Sequence, residues 1–225
     1  MPGIGARTES YRDRRHAGRV LAGKVTERNL ADPVVLGLAR GGVPVAAEVA
    51  RALAAPLRVT VARKIGAPGQ PELALGAVTA HGPATYDERL LRTFHLEQAE
   101  LAQDRERERA EARSREERFG QGAPPRLTGR DVVLVDDGLA TGATARAALR
   151  MIRESDPRSI LLAVPVGAPD AVKALRQEAD EVLCVLQPVD FAAVGQWYGT
   201  FRETTDEEIL RILGEVDAGR GTSGG

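Results

Sequence analysis

The most constraining part of the sequence is residues 131–145, which read DVVLVDDGLATGATA. The apolar run at residues 132–135 is too short for a helix and rich in β-branched side chains, so it predicts a buried strand. Two adjacent carboxylates, Asp136 and Asp137, end that strand, and a turn rich in Gly, Ala and Thr follows them. Apolar residues at helical spacing across residues 143–153 then predict a helix.

Four further apolar runs predict buried strands, and segments with helical spacing separate most of them. These runs lie at residues 34–38, 57–62, 160–166 and 182–186. Strands that alternate with helices, and that are apolar along their whole length, are typical of a parallel sheet covered by helices on both faces. The sequence therefore predicts an α/β fold. At 225 residues the chain suits one domain, residues 1–225, with room for an appended piece.

Charge and cysteine content argue against several classes of function. The net charge of −1 gives no support to a nucleic-acid or membrane-surface role. Cys184 is the lone cysteine and lies in an apolar run, so a disulfide framework is excluded and a buried thiol is expected. The sequence shows no apolar targeting segment near its start and no run approaching ~20 apolar residues, so we expect a cytoplasmic protein that does not cross a membrane.

The acid pair is suited to binding a sugar. Open parallel sheets bind ligands at the carboxyl ends of their strands, which is where Asp136 and Asp137 are expected. A vicinal diol offers two hydroxyl donors, and each bond from a hydroxyl to a carboxylate contributes ~1.5–3 kcal/mol. The pair therefore predicts that a sugar diol binds at this edge of the sheet.

The turn after the acid pair is suited to binding an anion. Gly138 and Gly142 allow the backbone to curl so that successive N–H groups point at one group. Thr141 and Thr144 add hydroxyl donors, and the positive end of the following helix favours a phosphate. The turn is neither a Walker A loop, since no Lys-Ser/Thr follows its glycine, nor a GxGxxG fingerprint. An ordinary strand-to-helix turn with exposed acids is the alternative, but the ordered combination favours a sugar phosphate site.

The stretch VVLVDDGLATGATA resembles the phosphoribosyl pyrophosphate motif of the type I phosphoribosyltransferases. The resemblance implies a parallel-sheet core with a small hood. It implies that Asp136 and Asp137 hold the ribose hydroxyls. It also implies that the following turn wraps the 5′-phosphate, through Ala140, Thr141, Gly142, Ala143 and Thr144, with Gly138 in the same turn.

A second glycine turn follows the first predicted strand. It reads Arg40-Gly41-Gly42 and leads into a predicted helix. The two glycines permit unusual backbone torsions, and Arg40 supplies a fixed positive fork beside them. Taken alone, the turn is equally compatible with a structural connection. In the resembled family the corresponding turn binds pyrophosphate through exposed backbone amides, so the resemblance implies that role for Arg40, Gly41 and Gly42.

A basic pair closes the second predicted strand. Arg63 and Lys64 would lie at its carboxyl end, where charges can converge on a ligand, and a solvated cation pair is the plain alternative. The next residues, 65–75, are rich in Gly and Pro and predict an irregular, mobile loop. Type I phosphoribosyltransferases have a flexible catalytic loop at this point, and the resemblance implies that Arg63 and Lys64 contact pyrophosphate. Glu72 in that loop is a further candidate, for proton transfer or base recognition.

Aromatic residues cluster in residues 187–203. Clustered aromatics commonly seal a small core, and Trp197 and Tyr198 are assigned to packing. Phosphoribosyltransferases stack the acceptor base under a hood formed partly by segments after the last core strand, and residues 187–203 follow that strand. The run from Phe191 to Gly195 resembles the base-contacting stretch of the purine members. Phe191 is therefore expected to contact the base by offset stacking.

Residues 87–119 are unusually polar. A short apolar face gives way to opposite charges at helical reach, such as Glu106 with Arg109 and Glu111 with Arg115. A continuous helix of ~30 residues would be roughly 45 Å long. A helix that is polar all round is commonly a solvated projection or a subunit-contacting arm, so we expect a long charged helical insertion and consider a homo-oligomer. RNA binding is the alternative, but the interspersed acids disfavour it.

The resemblance implies a reaction in which a base nitrogen displaces pyrophosphate from C1′ of the ribose, with Mg²⁺ as cofactor. The implied partners are phosphoribosyl pyrophosphate and a small acceptor base. Because Mg²⁺ favours phosphate oxygens and water, no metal site made of protein alone is expected. His16, His81 and His95 are scattered without the spacing of metal ligands.

The acceptor base stays open at this point. Hypoxanthine–guanine members of the resembled family carry an Asp near the start of the phosphate turn, where this chain has Ala140, as adenine and orotate members do. Two other functions are compatible with the same site. One is a ligand-sensing or regulatory protein without turnover, and the other is a nucleotide hydrolase or phosphorylase.

Overall fold

The computed structural model describes residues 10–120 and 126–221, without the side chains of residues 71 and 72. A short 3₁₀ helix, Val194–Trp197, precedes the last α-helix. In chain order the elements are α1 (Arg14–Val25), β1 (Val34–Leu38), α2 (Gly42–Leu53), β2 (Leu57–Thr60), β3 (Ala62–Ala67), β4 (Gln70–Thr79), β5 (Thr85–Tyr86), α3 (Glu88–Phe94), α4 (Ala102–Arg118), β6 (Asp131–Val135), α5 (Ala143–Arg153), β7 (Ser159–Val166), α6 (Pro169–Leu175), β8 (Glu181–Leu186) and α7 (Asp206–Gly221).

A five-stranded sheet in the spatial order β2-β1-β6-β7-β8 forms the core. Its neighbouring strands all pair in parallel, and β1 lies beside β6 with Gly37 opposite Val135. The two glycine turns, which follow β1 and β6, therefore leave neighbouring strands at the same edge of the sheet. The predicted α/β fold with a parallel sheet is confirmed, and each predicted strand lies within about two residues of the observed one.

Helices cover both faces of this sheet. On β6, Val133 and Val135 face a cluster formed with α1, α2 and α7, while Val132 and Leu134 face a second cluster formed with α5 and α6. Fully burying one such side chain contributes about 1.5–3 kcal/mol, so the two clusters supply most of the driving force that holds the sheet edge in place. No helix among the described residues is both long enough and apolar enough to span a bilayer.

The edge strand β8 is less buried than the sequence predicts. Residues 182–186 are all partly exposed, because the described part of the sheet covers β8 on one side only. Cys184 is accordingly half-buried, and its thiol donates to the Leu186 carbonyl at 3.1 Å. Burial raises the pKa of this thiol to about 12, so the thiol is protonated and unreactive at neutral pH.

A second sheet, antiparallel and three-stranded in the order β3-β4-β5, lies beside the core. The prediction of an irregular loop over residues 65–75 is wrong, because these residues form a hairpin in which Ala67 pairs with Gln70. Ile65 and Leu75 are fully buried in a cluster with residues of α3. That burial stabilises strands that the Gly and Pro content of the segment disfavours.

Residues 87–119 contain two helices, α3 and α4, rather than one continuous helix. His95 adopts a left-handed conformation, with φ of 52°, and ends α3. The predicted solvated arm is wrong, because α4 packs on the β3–β4 hairpin, and Leu101, Ala112 and Phe119 are buried along it. Three apolar residues among many charges were too few for the sequence pattern to reveal this face.

Polar bonds also hold α4 in place. The Glu116 carboxyl accepts from the Val61 N–H at 2.8 Å, and burial raises its pKa above the ordinary value. The Arg109 guanidinium donates to the Gly82 carbonyl at 2.7 Å. Both partners are backbone groups far along the chain, so the spacing of charges within α4 does not predict these bonds.

Asp131, the first residue of β6, is buried at the edge of the sheet opposite the glycine turns. It is 2% exposed and accepts from Arg158 Nε at 2.7 Å, from Ser159 Oγ at 2.7 Å and from the Ala31 N–H at 2.8 Å. The Arg158 guanidinium holds the pKa of this carboxyl below its ordinary value. Asp131 therefore joins β6, β7 and the segment before β1.

Asp131→Asn is expected to lower the free energy of unfolding at pH 7 by about 1–3 kcal/mol, because three donors lose a buried, charged acceptor. The stabilisation by Asp131 is present above the unfolded-state pKa and is lost as the pH falls through the lower folded-state pKa. Urea unfolding at pH 7 and near pH 2 measures both effects. The difference in the free energy of unfolding between variant and wild type should be smaller near pH 2 than at pH 7. Equal free energies of unfolding at pH 7 would contradict the prediction.

Candidate functional site

Asp136 and Asp137 follow the last residue of β6, at the edge where β1 also ends. The Asp137 N–H donates to Asp136 Oδ1 at 2.8 Å. Burial raises the pKa of both carboxyls, and the charge of Asp137 raises that of Asp136 further. Arg14 opposes this effect at Asp137, since its Nε lies 2.8 Å from Oδ2. The predicted acid pair is therefore a largely enclosed pair of carboxyl groups. Arg14 partly compensates their negative charge.

Residues 187–203 cover the backbone that follows the acid pair. The Tyr198 hydroxyl donates to the Asp137 carbonyl at 2.5 Å. Burial raises the pKa of this phenol well above its ordinary value, so Tyr198 remains a donor at neutral pH. Val194 packs over Gly138, where an added Cβ would lie 2.6 Å from Val194 Cγ1. The segment after β8 thus fixes the start of the turn that the sequence predicts to bind an anion.

The glycine turn between β6 and α5 presents three consecutive amides. Among the described residues, none accepts a hydrogen bond from the N–H of Ala140, Thr141 or Gly142. Gly142 has φ of 74° immediately before α5, a conformation that other residues rarely adopt. Ala140 and Thr141 are exposed. Unpartnered amides at the start of a helix form a site for an anion such as a phosphate.

The glycine turn between β1 and α2 lies directly against the acid pair. An added Cβ on Gly42 would lie 2.6 Å from the Val135 carbonyl oxygen and 2.9 Å from Asp136 Cα. An added Cβ on Gly41 would overlap Asp137 Oδ2. The structure therefore brings together the two turns that the sequence singled out, and the approach requires the absence of side chains at both glycines.

The Arg40 guanidinium contacts Glu203, the last residue of the 187–203 segment, and Asp206, which follows that segment. Its Nη2 pairs with Glu203 Oε1, and its Nη1 lies 4.0 Å from Asp206 Oδ1. The Ala39–Arg40 peptide bond is cis. Ion pairs with partly exposed side chains contribute only ~0.2–1 kcal/mol, so a ligand phosphate can compete for this guanidinium.

The prediction that Arg63 and Lys64 lie at the carboxyl end of a core strand is wrong, because β2 ends at Thr60 and both residues lie within β3 of the second sheet. They line a cavity of about 560 Å³ between the hairpin and α4. Thr144, in the first turn of α5, lines the same cavity, so the cavity extends to the end of the glycine turn. Glu108 holds the Arg63 fork, with Nε 3.0 Å and Nη2 2.9 Å from Oε2. Lys64 is exposed and forms no ion pair with any side chain that the structure describes. The side chain of Glu72 lies outside the described residues.

The sequence assigned the aromatic residues near the site either to packing or to contact with a base. Trp197 and Tyr198 are 5% and 6% exposed, which confirms their assignment to packing. Phe191 is only partly buried and packs on the same cluster with Leu186 and Val194. Contact between Phe191 and a base stays a prediction.

Arg14 is the site residue that sequence reasoning missed. Its neighbours Arg12 and Arg15 are also arginines, and nothing in their spacing distinguishes the three. The available signal was Asp13, which caps α1 by accepting from the His16 N–H at 2.7 Å and so determines where the helix begins. Tertiary packing alone brings that helix start to the acid pair.

The chain is similar to known proteins of one family. Residues 8–196 match the family model described as the phosphoribosyl transferase domain. Rv0571c of Mycobacterium tuberculosis strain H37Rv, provisionally named as a phosphoribosyl transferase, is 45% identical over 204 residues. That alignment covers 90% of this chain and 46% of the relative, so the chain spans about half the length of that protein.

Two further comparisons differ in extent. The crystal structure of TT1426 from Thermus thermophilus superposes with a TM-score of 0.78 and 48% identity, covering 92% of this chain and 98% of that one. A uracil phosphoribosyltransferase of Clostridium beijerinckii is 34% identical over 67 residues, which is 30% of this chain and 32% of the relative.

The observed fold is the parallel-sheet α/β core of the type I phosphoribosyltransferases, with the acid pair and the glycine turn at the expected edge. The family model spans most of the sequence, including both glycine turns. From the extent of that match, the chain belongs to the phosphoribosyl transferase family.

Proposed function

We propose that the chain transfers a phosphoribosyl group from phosphoribosyl pyrophosphate to a nitrogenous base or a related acceptor and releases pyrophosphate. The observation that carries the proposal is the meeting of two glycine turns and an acid pair at one sheet edge. A sugar with phosphate groups at both ends needs hydroxyl acceptors in the middle and donors on either side. Because one fold hosts many functions, the proposal rests on these groups rather than on the fold.

Each part of the substrate has a proposed partner. The amides of Ala140, Thr141 and Gly142 would bind the 5′-phosphate, supported by the dipole of α5. The carboxylates of Asp136 and Asp137 would accept the two ribose hydroxyls. The turn between β1 and α2 would bind the pyrophosphate, which leaves C1′ between that turn and residues 187–203.

The proposed reaction breaks the bond between C1′ and a pyrophosphate oxygen and forms a bond between C1′ and a base nitrogen. Positive charge develops on the sugar ring, and negative charge grows on the leaving group. The acid pair beside the ring and the donors beside the leaving group would stabilise those charges. Holding both reactants in a fixed geometry would supply much of the remaining acceleration.

We propose that Mg²⁺ enters bound to the pyrophosphate group of the substrate. In the described ranges of the chain, no three His, Cys, Asp or Glu side chains are grouped so that they could hold a metal ion. Mg²⁺ prefers phosphate oxygens and water, so a diphosphate would supply ligands for the ion. The ion would neutralise charge on the departing pyrophosphate.

The proposed acceptor site lies under residues 187–203. Gln196 Oε1 accepts from the N–H groups of Ala192 and Ala193, so two backbone donors of this segment are already satisfied. Val189 is almost fully exposed and Phe191 partly exposed, which leaves apolar surface for the face of a planar base. The relative named as a uracil phosphoribosyltransferase makes uracil the first base to test.

Lys64→Met is expected to raise the KM for phosphoribosyl pyrophosphate by about 5- to 10-fold, because the lysine is proposed to bind the pyrophosphate as an exposed cation. Steady-state kinetics measures the change. Lys173→Met is the matched control, since Lys173 is also exposed but lies on α6. Equal KM values for Lys64→Met and wild type would exclude Lys64 from the substrate site.

The activity is tested by incubating the full chain with phosphoribosyl pyrophosphate, Mg²⁺ and a panel of bases, and by measuring pyrophosphate release. Release that depends on one class of base would support the proposal. Binding without release for any base would instead favour a ligand-sensing or regulatory protein. Turnover of a nucleotide with water or phosphate as the sole acceptor would favour a hydrolase or phosphorylase.

A further inference from the structure

Arg14 contacts three different parts of the site at once. Its Nε lies 2.8 Å from Asp137 Oδ2, and its Nη1 donates to the Arg202 carbonyl at 2.6 Å. Its guanidinium carbon lies 3.9 Å from the centre of the Phe201 ring. The side chain is 12% exposed, so the charge is largely removed from water. A guanidinium held by a carboxylate, a carbonyl and an aromatic face has little freedom to turn.

The backbone that carries Arg14 is itself tied to the segment over the site. The Tyr11 N–H donates to the Trp197 carbonyl at 2.8 Å, and the Gly199 N–H donates to the Tyr11 carbonyl at 2.7 Å. The Thr200 N–H donates to the Arg12 carbonyl at 2.8 Å. The start of α1 and residues 197–202 therefore form one unit, with Arg14 as its link to the acid pair.

The charged and titratable groups that face Asp137 are few in the described part of the chain. They are Asp136 on the same turn, Arg14 from α1, and the phenol of Tyr198. Asp136 and burial both favour the neutral carboxyl, whereas Arg14 favours the carboxylate. Among the groups that the structure describes, Arg14 is the cation that faces Asp137.

We propose that Arg14 is a positioning residue that fixes the Asp137 carboxylate for the ribose and links the ribose site to residues 197–202. The inference rests on the proposed function. Arg14 occupies Oδ2, so the sugar hydroxyl binds through Oδ1. Arg14 acts through Asp137 and does not itself touch the reacting atoms.

The test compares wild type with Arg14→Gln, Arg14→Lys and Arg15→Gln by calorimetry with ribose 5-phosphate at several pH values. Arg14→Gln should bind about 10- to 100-fold more weakly, because the fixed charged acceptor is lost. The acid limb of its binding profile should move to higher pH, which a purely structural role would not cause. Arg14→Lys should return the acid limb to its wild-type pH and restore part of the affinity. Arg15→Gln should match wild type, because Arg15 pairs with Glu215 on the surface at 3.4 Å.

Phe201→Ala provides a second variant if Arg14→Gln fails to fold, because the Phe201 ring is 38% exposed and lies outside the core. Its binding should weaken several-fold, since the guanidinium loses the ring that holds it. Equal affinity and an unshifted profile in folded Arg14→Gln, or unchanged binding in Phe201→Ala, would overturn the inference while leaving the proposed function intact. A wild type that binds neither ribose 5-phosphate nor phosphoribosyl pyrophosphate would overturn both.

Discussion

Asp136→Asn is expected to weaken the binding of ribose 5-phosphate by about 10- to 100-fold. The variant loses a charged acceptor for one sugar hydroxyl, and hydrogen bonds to charged groups contribute more than neutral ones. Its side-chain oxygen can still accept from the Asp137 N–H, so the turn should keep its shape. Isothermal calorimetry with ribose 5-phosphate measures the change in affinity.

The same variant should be at least as stable as wild type. Burial and the charge of Asp137 raise the pKa of Asp136. A carboxyl whose folded-state pKa exceeds its unfolded value opposes folding above that folded value, and the penalty disappears as the pH falls below the unfolded value. The amide carries no such penalty. Urea unfolding at pH 7 should therefore give Asp136→Asn an equal or higher midpoint.

The pH dependence of binding gives an independent check on Asp136. In wild type, affinity for ribose 5-phosphate should fall on acidification at pH values above the ordinary aspartate range, and Asp136→Asn should lack that component. Asp156→Asn is the matched control, because Asp156 is exposed in a turn before β7, at the other edge of the sheet. Wild-type affinity in Asp136→Asn would show that Asp136 does not bind the sugar.

Gly42→Ala is expected to lower the catalytic efficiency by about 100-fold, because displacement of a site by ~1 Å can have an effect of that size. An added Cβ would lie 2.6 Å from the Val135 carbonyl oxygen and 2.9 Å from Asp136 Cα, both of which are backbone atoms. Neither can move aside without shifting the end of β6. We also expect a loss of about 1–3 kcal/mol in the free energy of unfolding from overpacking. Steady-state kinetics and urea unfolding measure the two effects.

Gly23→Ala is the control for this substitution. Gly23 lies in α1, and no atom lies within 4 Å of the position that its Cβ would take. Alanine should therefore stabilise the helix by about 0.5–1 kcal/mol and leave activity unchanged. If Gly42→Ala behaved as Gly23→Ala does, the close packing of the two glycine turns would not matter for the site.

The features that could be predicted from the sequence are those determined by neighbouring residues. The strand before Asp136, the turn containing Gly142 and the start of α5 lie within one short stretch, so their spacing alone indicates their order and their edge of the sheet. The parallel sheet could be predicted for the same reason, because each apolar run and each helix can be recognised from neighbouring residues.

The features that could not be predicted depend on contacts between distant residues. The burial of Ile65 and Leu75 stabilises a hairpin where Gly and Pro suggested a loop. The hydrogen bond that the Val61 N–H donates to Glu116 holds a charged helix against the core where the charge pattern suggested a solvated arm. Arg14 reaches Asp137 only because α1 packs beside the sheet edge.

The contact between the start of α1 and residues 197–202 has a consequence for how the site is assembled during synthesis. Arg14 donates a hydrogen bond to the carbonyl of Arg202, which lies 188 positions further along the sequence. A ribosome makes the acid pair and both glycine turns well before it makes Arg202, so a nascent chain can form the parallel sheet while Arg14 still lacks one of its partners. Binding of sugar phosphate at full strength is therefore expected only after residues 197–202 have emerged.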